Sequence, residues 1–165
     1  MIEQIVSGGQ TGVDQAGLLI AEELKIPIGG WCPKGGLDEN GVCILETYPS
    51  LREATTADPD ERTKLNIRDS DGTLIIVPCL PLPEKIQDGT RLTIADAERQ
   101  GKPHLIISLT ERDSAVDEIH EWIRRENISV LNIAGPRESN SPGIHLGAID
   151  LFRELFAEVK PALRI

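Results

Sequence analysis

Ile2-Glu3-Gln4-Ile5-Val6-Ser7-Gly8-Gly9-Gln10-Thr11-Gly12-Val13-Asp14 decides how the rest of the chain is read. The run Ile2–Ser7 is short, apolar and bounded by glycine, which predicts a buried strand. From Val13 the period changes: Val13, Ala16, Gly17, Ile20 and Leu24 fall on one helical face. A strand, a glycine turn and a helix in that order open a βαβ unit. Glycines at such a turn let backbone N–H groups approach an anion, and the helix dipole favours negative charge there. Gly8, Gly9, Gln10, Thr11, Gly12 and Asp14 are therefore the first candidate binding residues. A tight turn capped by Thr11, with Asp14 three residues on, satisfies the same pattern.

Working outward, Ile26–Trp31, Thr73–Pro78, His104–Ser108 and Ser129–Ala134 also read as strands. Helical patterns lie between them. Asp58-Pro59 suits an N-cap and first helical position, with a helix running through Arg62 to about Ser70. Leu92 and Ala95 mark a helix that Gly101 ends, opened at Gly89-Thr90 with Thr90 as cap. Val116, Ile119 and Ile123 mark another, with Ser114 and Asp117 as a capping box. The clearest stripe is Ala148, Leu151, Phe152, Leu155, Phe156 and Val159, with Ser141-Pro142 at its start.

Strand–helix alternation implies right-handed crossovers and parallel pairing. The expected class is α/β: a Rossmann-like three-layer sandwich, its mostly parallel sheet of about five or more strands covered by helices on both faces. Residues 1–165 read as a single ligand-binding domain of this type, 39% hydrophobic and 27% charged. Aromatics make up only 3%, so Ile, Leu, Val and Ala must fill the core, the palette of strands buried on both faces.

The formal net charge is −10 and the pI about 4.8. No basic stripe is present to neutralise a nucleic-acid polymer or an anionic membrane. One small anion remains compatible, because a helix N-terminus and a single Lys or Arg make a local positive site. Three cysteines at irregular spacing, Cys32, Cys43 and Cys79, form neither a disulfide framework nor a CxxC metal pair. No apolar run approaches the roughly 20 residues of a membrane span, and the start lacks a basic leader. The expected location is cytoplasmic.

Further candidates follow the strands, where ligands bind in doubly wound sheets. After the second comes Trp31-Cys32-Pro33-Lys34-Gly35. Trp31 can stack on a flat ring, and Lys34, flanked by Gly35, can meet a phosphate as a point charge. Arg62, Ser70 and Asp71 are possible ligand contacts, with Gly72 read as the left-handed end of the preceding helix. Gly89 and Thr90 form a second anion loop; Gly135-Pro136-Arg137-Glu138-Ser139 forms a third, with Arg137 as a bidentate phosphate partner. A Walker A loop is absent. So is the acidic residue expected after the second strand of an NAD site. No metal cluster and no nucleophile motif stand out; for an enzyme acting on a nucleotide, Asp14, Asp71 or Glu138 would be the acid/base.

Taken together, residues 7–15, 29–35, 62–66, 69–75, 89–93 and 135–139 resemble the molybdenum carrier family over nearly the whole chain. The resemblance implies a carrier for molybdenum cofactor, a phosphorylated pterin dithiolene, or for a related nucleotide. Delivery implies molybdoenzymes as recipients; a homo-oligomer, dimer or tetramer, is expected on the general ground that small soluble folds commonly pair. The fold and glycine loops more distantly resemble Rossmann nucleotide-processing proteins that include cytokinin-activating phosphoribohydrolases. Those carry a Pro-Gly-Gly-x-Gly-Thr-x-x-Glu motif, and Thr93 stands where the catalytic glutamate would be. A carrier for a small phosphorylated ligand is the expected function, with a phosphoribohydrolase-type hydrolase as the alternative.

Overall fold

The computed structural model describes residues 1–157, so Val159 of the last apolar stripe lies outside the described residues. Seven strands are present among the described residues: β1 (Gln4–Val6), β2 (Ile28–Gly29), β3 (Trp31–Cys32), β4 (Arg52–Glu53), β5 (Gly72–Val77), β6 (His104–Ser108) and β7 (Val130–Ala134). The helices are α1 (Val13–Glu23), α2 (Ile44–Thr47), α3 (Pro59–Arg68), α4 (Glu84–Arg99), α5 (Arg112–Arg125) and α6 (Ile144–Leu155). Five strands form one parallel sheet in the order β2-β1-β7-β5-β6. The α/β class and the five expected strand regions are thus present.

Strand alternation divides the core. Leu74 and Ile76 of β5 join Leu131 and Ile133 of β7 in the larger cluster, covered by α1, α5 and α6. Ile75 and Val77 point to the other face, where Ile86 and Ile94 of α4 cover them. Every residue of β5 is buried, as expected of a strand covered on both faces.

Numbered from β7 as the first strand, the spatial order becomes 3-2-1-4-5, the doubly wound Rossmann arrangement. Its topological switch point lies between β7 and β5. The loop that follows β7 therefore holds the position of the first βα turn in this sheet. Gly8–Gly12, after β1, holds the second.

Several boundaries differ from the sequence reading. The second strand region breaks at Gly30, whose φ is +124°; a Cβ there would sit 2.3 Å from the Ser7 carbonyl oxygen. Beyond it β3 leaves the main sheet and pairs with β4. α4 starts at Glu84, so Gly89 and Thr90 are helical and form no anion loop or cap. Gly72 begins β5 and is not left-handed; a Cβ would lie 2.6 Å from Ile128 Cδ1. The Ser114–Asp117 capping box does not form: a 3-10 turn (Leu109–Glu111) precedes α5, and Ser108 accepts from Thr110 N. α6 begins at Ile144 after a left-handed Gly143, with Glu138 accepting from Gly143 N and His145 N. The Asp58 cap of α3 is present, its carboxylate accepting from Asp60 N at 3.0 Å.

Candidate functional site

A cavity of about 430 Å³ opens at the switch point, above the ends of β5 and β7. Its floor includes Ile75 and Ala134, and Gly135, Pro136 and Arg137 form one wall. α4 contributes Lys85, Gly89, Thr90 and Thr93; the start of α3 contributes Asp58, Asp60 and Arg62. Gln10 and Asp14 close the side nearest β1.

Asp14 is 4% exposed. Its Oδ2 accepts from Gln10 N at 3.2 Å and from Arg62 Nη1 at 3.2 Å. Burial pushes its carboxyl above the usual carboxylate range, although the Arg62 guanidinium pulls the other way. Arg62 Nε is buried with no hydrogen-bond partner among the described residues. On the opposite wall Arg137 is held loosely, its Nε 3.8 Å from Glu39 Oε2. Glu39 also accepts from Ser139 N and Ser139 Oγ, which ties the segment after β3 to the loop after β7. Arg62 is thus restrained by a carboxylate from α1, and Arg137 by one from the segment after β3.

The glycine turn after β1 is packed rather than open. A Cβ on Gly8 would lie 1.8 Å from Arg62 Nη1, on Gly9 2.5 Å from Ile44 Cγ2, and on Gly12 2.3 Å from the Pro136 carbonyl oxygen. The N–H of Gln10 is taken by Asp14, that of Thr11 by Gln10 Oε1, and that of Val13 by Pro136 O. Thr11 is not the cap of α1: its Oγ1 accepts from Glu138 N, binding the first loop to the third. Within Gly8–Gly12, protein acceptors thus already hold the N–H groups of Gln10 and Thr11, and beyond it that of Val13 at the start of α1.

Of the residues read from the sequence, Gln10, Asp14, Arg62, Gly89, Thr90 and Arg137 line the cavity together. Gly8, Gly9, Thr11 and Gly12 form the packed turn beside it. Trp31, Lys34 and Gly35 leave with the small sheet. Trp31 Nε1 donates to Asp69 Oδ2 at 2.8 Å, and its ring lies 5.5 Å from the Arg52 guanidinium and 5.9 Å from that of Arg68. Lys34 and Gly35 are exposed. Ser70 and Asp71 stand at the start of β5, the opposite edge of the sheet. Asp71 Oδ2 accepts from Ser129 N and Val130 N, and Ser70 Oγ donates to Ile67 O.

Lys85, Thr93, Asp58, Asp60, Pro136 and Asn140 line the cavity without having been singled out. The spacing Ile86, Thr90, Thr93, Ala97 carried the signal for the earlier start of α4, and so for Lys85. Asp60 is paired with Lys64 at 2.8 Å, a hydrogen bond that lowers its carboxyl below the usual range. Among the described residues no group of three or more His, Cys, Asp and Glu side chains is placed to hold a metal ion, and no helix is long and apolar enough to cross a membrane.

The profile of the circularly permutated YpsA SLOG family matches residues 5–156. A solved structure described as "Putative molybdenum carrier protein", from Syntrophus aciditrophicus SB, is 44% identical. It covers 94% of each chain with a TM-score of 0.84. No curated protein is significantly similar.

Proposed function

Because the chain belongs to the circularly permutated YpsA SLOG family, we propose that it is a binding protein for a small phosphorylated heterocycle, held in the cavity between β5 and β7. The observation that carries this reading is the convergence of Arg62, Lys85 and Arg137 on one cavity at the switch point. Arg62, Arg137 and Lys85 would take the phosphate. Asp58, Asp60 and the Gln10 side chain offer acceptors for ring or ribose donors. A volume of about 430 Å³ lies within the range of small-molecule sites.

Molybdenum cofactor is the named ligand, supported by the name of the 44%-identical relative. Its pterin carries N–H donors that suit the acidic wall, and its dithiolene holds the metal without protein ligands. A related nucleotide fits the same chemistry. In this reading the protein is cytoplasmic and homo-oligomeric, and it delivers its cargo to molybdoenzymes.

The hydrolase alternative draws support from Asp14, a buried carboxyl at the cavity wall. Against it stands Thr93, which lines the cavity where the phosphoribohydrolase motif would supply glutamate. Thermal shift with AMP, other nucleotides and molybdenum cofactor, followed in parallel for product, separates the two. Stabilisation that grows with ligand concentration and no turnover is expected. Released base or ribose phosphate would overturn the carrier reading, and no shift with any of these ligands would overturn binding at this site.

A further inference from the structure

We propose that ligand binding in this cavity is coupled to proton uptake by Asp14, because the ligand phosphate and the Asp14 carboxylate compete for the same arginine. The inference rests on the binding reading above and adds its regulation by pH.

The geometry of the pair carries it. Asp14 is buried and has one ionic partner, Arg62 Nη1 at 3.2 Å, and one backbone donor, Gln10 N. Arg62 reaches it from α3, and both residues line the cavity, so a bound anion would meet the guanidinium beside the carboxylate that holds it. A phosphate that draws Arg62 toward itself leaves Asp14 buried, one hydrogen bond poorer and beside a new negative charge. A carboxylate so placed is relieved by taking a proton from solvent, giving a neutral carboxyl and leaving the ligand ionised. Ser7 Oγ lies beside Asp14 at the end of β1 and makes no hydrogen bond of good geometry, so it can accept from the new O–H.

The other charged groups around the site do not replace Arg62. Lys85 on α4 and Arg137 after β7 line the cavity but do not contact Asp14. Asp58 and Asp60 from the start of α3 are acidic, and Asp60 is engaged by Lys64. From α6, His145 Nδ1 meets the Gly12 carbonyl. Glu39 makes the instructive contrast. If Arg137 turns to a ligand, Glu39 keeps both Ser139 donors, whereas Asp14 without Arg62 keeps Gln10 N and loses its ionic partner.

Titration calorimetry of the full chain with AMP, in buffers of different ionisation enthalpy, counts protons taken up per ligand bound. Wild type is expected to take up as much as one proton more than Asp14→Asn, which reports the phosphate's own share. Its Kd should rise with pH by up to about tenfold per unit relative to that variant. If Asp14→Asn does not fold, Arg62→Gln removes the contested group and should lose the same extra proton. AMP binding with equal proton uptake in wild type and variant would overturn the coupling and leave the site standing. Absence of AMP and inorganic phosphate binding would overturn the site, and the coupling with it.

Discussion

Arg62 Nη1 lies 3.2 Å from Asp14 Oδ2, and the pair fills the space that a Cβ on Gly8 would need. One contact thereby joins α3 to α1, accounts for a glycine in the turn after β1, and forms a cavity wall.

The glycines of that turn are expected to differ when substituted. In Gly8→Ala the nearest atom is the end of a flexible arginine, 1.8 Å away, so Arg62 can swing aside. The cost is about 2 kcal/mol, mostly the lost partner of a buried carboxylate. Gly12 has φ +80° and would place its Cβ 2.3 Å from a backbone carbonyl that cannot move alone. Gly12→Ala should cost about 4 kcal/mol. Denaturant midpoints of the two variants, measured side by side, check the order; equal losses would contradict it.

Ligand affinity should depend on Arg137 and not on Lys34. Arg137→Ala removes a charged donor from the cavity, which is worth about 1.5–3 kcal/mol, or roughly ten- to a hundredfold in Kd. Lys34→Ala and Trp31→Phe alter the small sheet outside the cavity and should leave Kd unchanged. Titration of all three variants with AMP tests the assignment, and a loss in Lys34→Ala alone would move the site.

Asp71 is expected to matter for stability only. Its carboxylate accepts from Ser129 N at 3.0 Å and Val130 N at 2.8 Å, clamping the start of β5 to the start of β7. Asp71→Ala should destabilise the fold by about 2–3 kcal/mol with no change in ligand affinity. Chemical denaturation and calorimetry on one preparation read both quantities.

Asp96 provides a pH test of stability. It is 2% exposed, its Oδ2 has no hydrogen-bond partner among the described residues, and Arg99 holds Oδ1 at 2.7 Å. Burial raises its carboxyl above the usual range, and neighbouring Asp60 adds to the rise. A raised carboxyl favours folding below its unfolded value of about 4, and that contribution fades as pH climbs through the folded value. Asp96→Asn cannot ionise, so its stability relative to wild type should improve as pH rises from about 4. Paired unfolding curves across that interval check the sign, and a constant difference would contradict it.

Local periodicity carried most of the fold. β5 is recognisable from Thr73–Val77, and α6 from its stripe of Ala148, Leu151, Phe152 and Leu155, because side-chain burial repeats with the geometry of each element. Errors gathered where local chemistry was ambiguous. Gly89-Thr90 resembles a helix start, yet it lies inside α4, where Gly89 has open space at its Cβ position and Thr90 turns into the cavity. Trp31 ends an apparent second strand and Lys34 follows it, but the turn at Gly30 carries them off the main sheet. Arg62 and Asp14 were both candidates, but nothing in their separation of 48 positions announces that they pair.

Alternating elements, parallel pairing and a glycine turn after β1 were determined by the sequence alone, since each depends on a few neighbouring residues. Only the tertiary structure decided what that turn does. Placing β7 between β1 and β5 makes the Gly135–Arg137 loop the first βα turn of the sheet and sets the cavity beside it. Gly8–Gly12 packs against Arg62, Ile44 and Pro136, and its Gln10 and Thr11 N–H groups are taken by the Asp14 and Gln10 side chains. Strand order is set by which distant segments pair, and no local pattern records that choice.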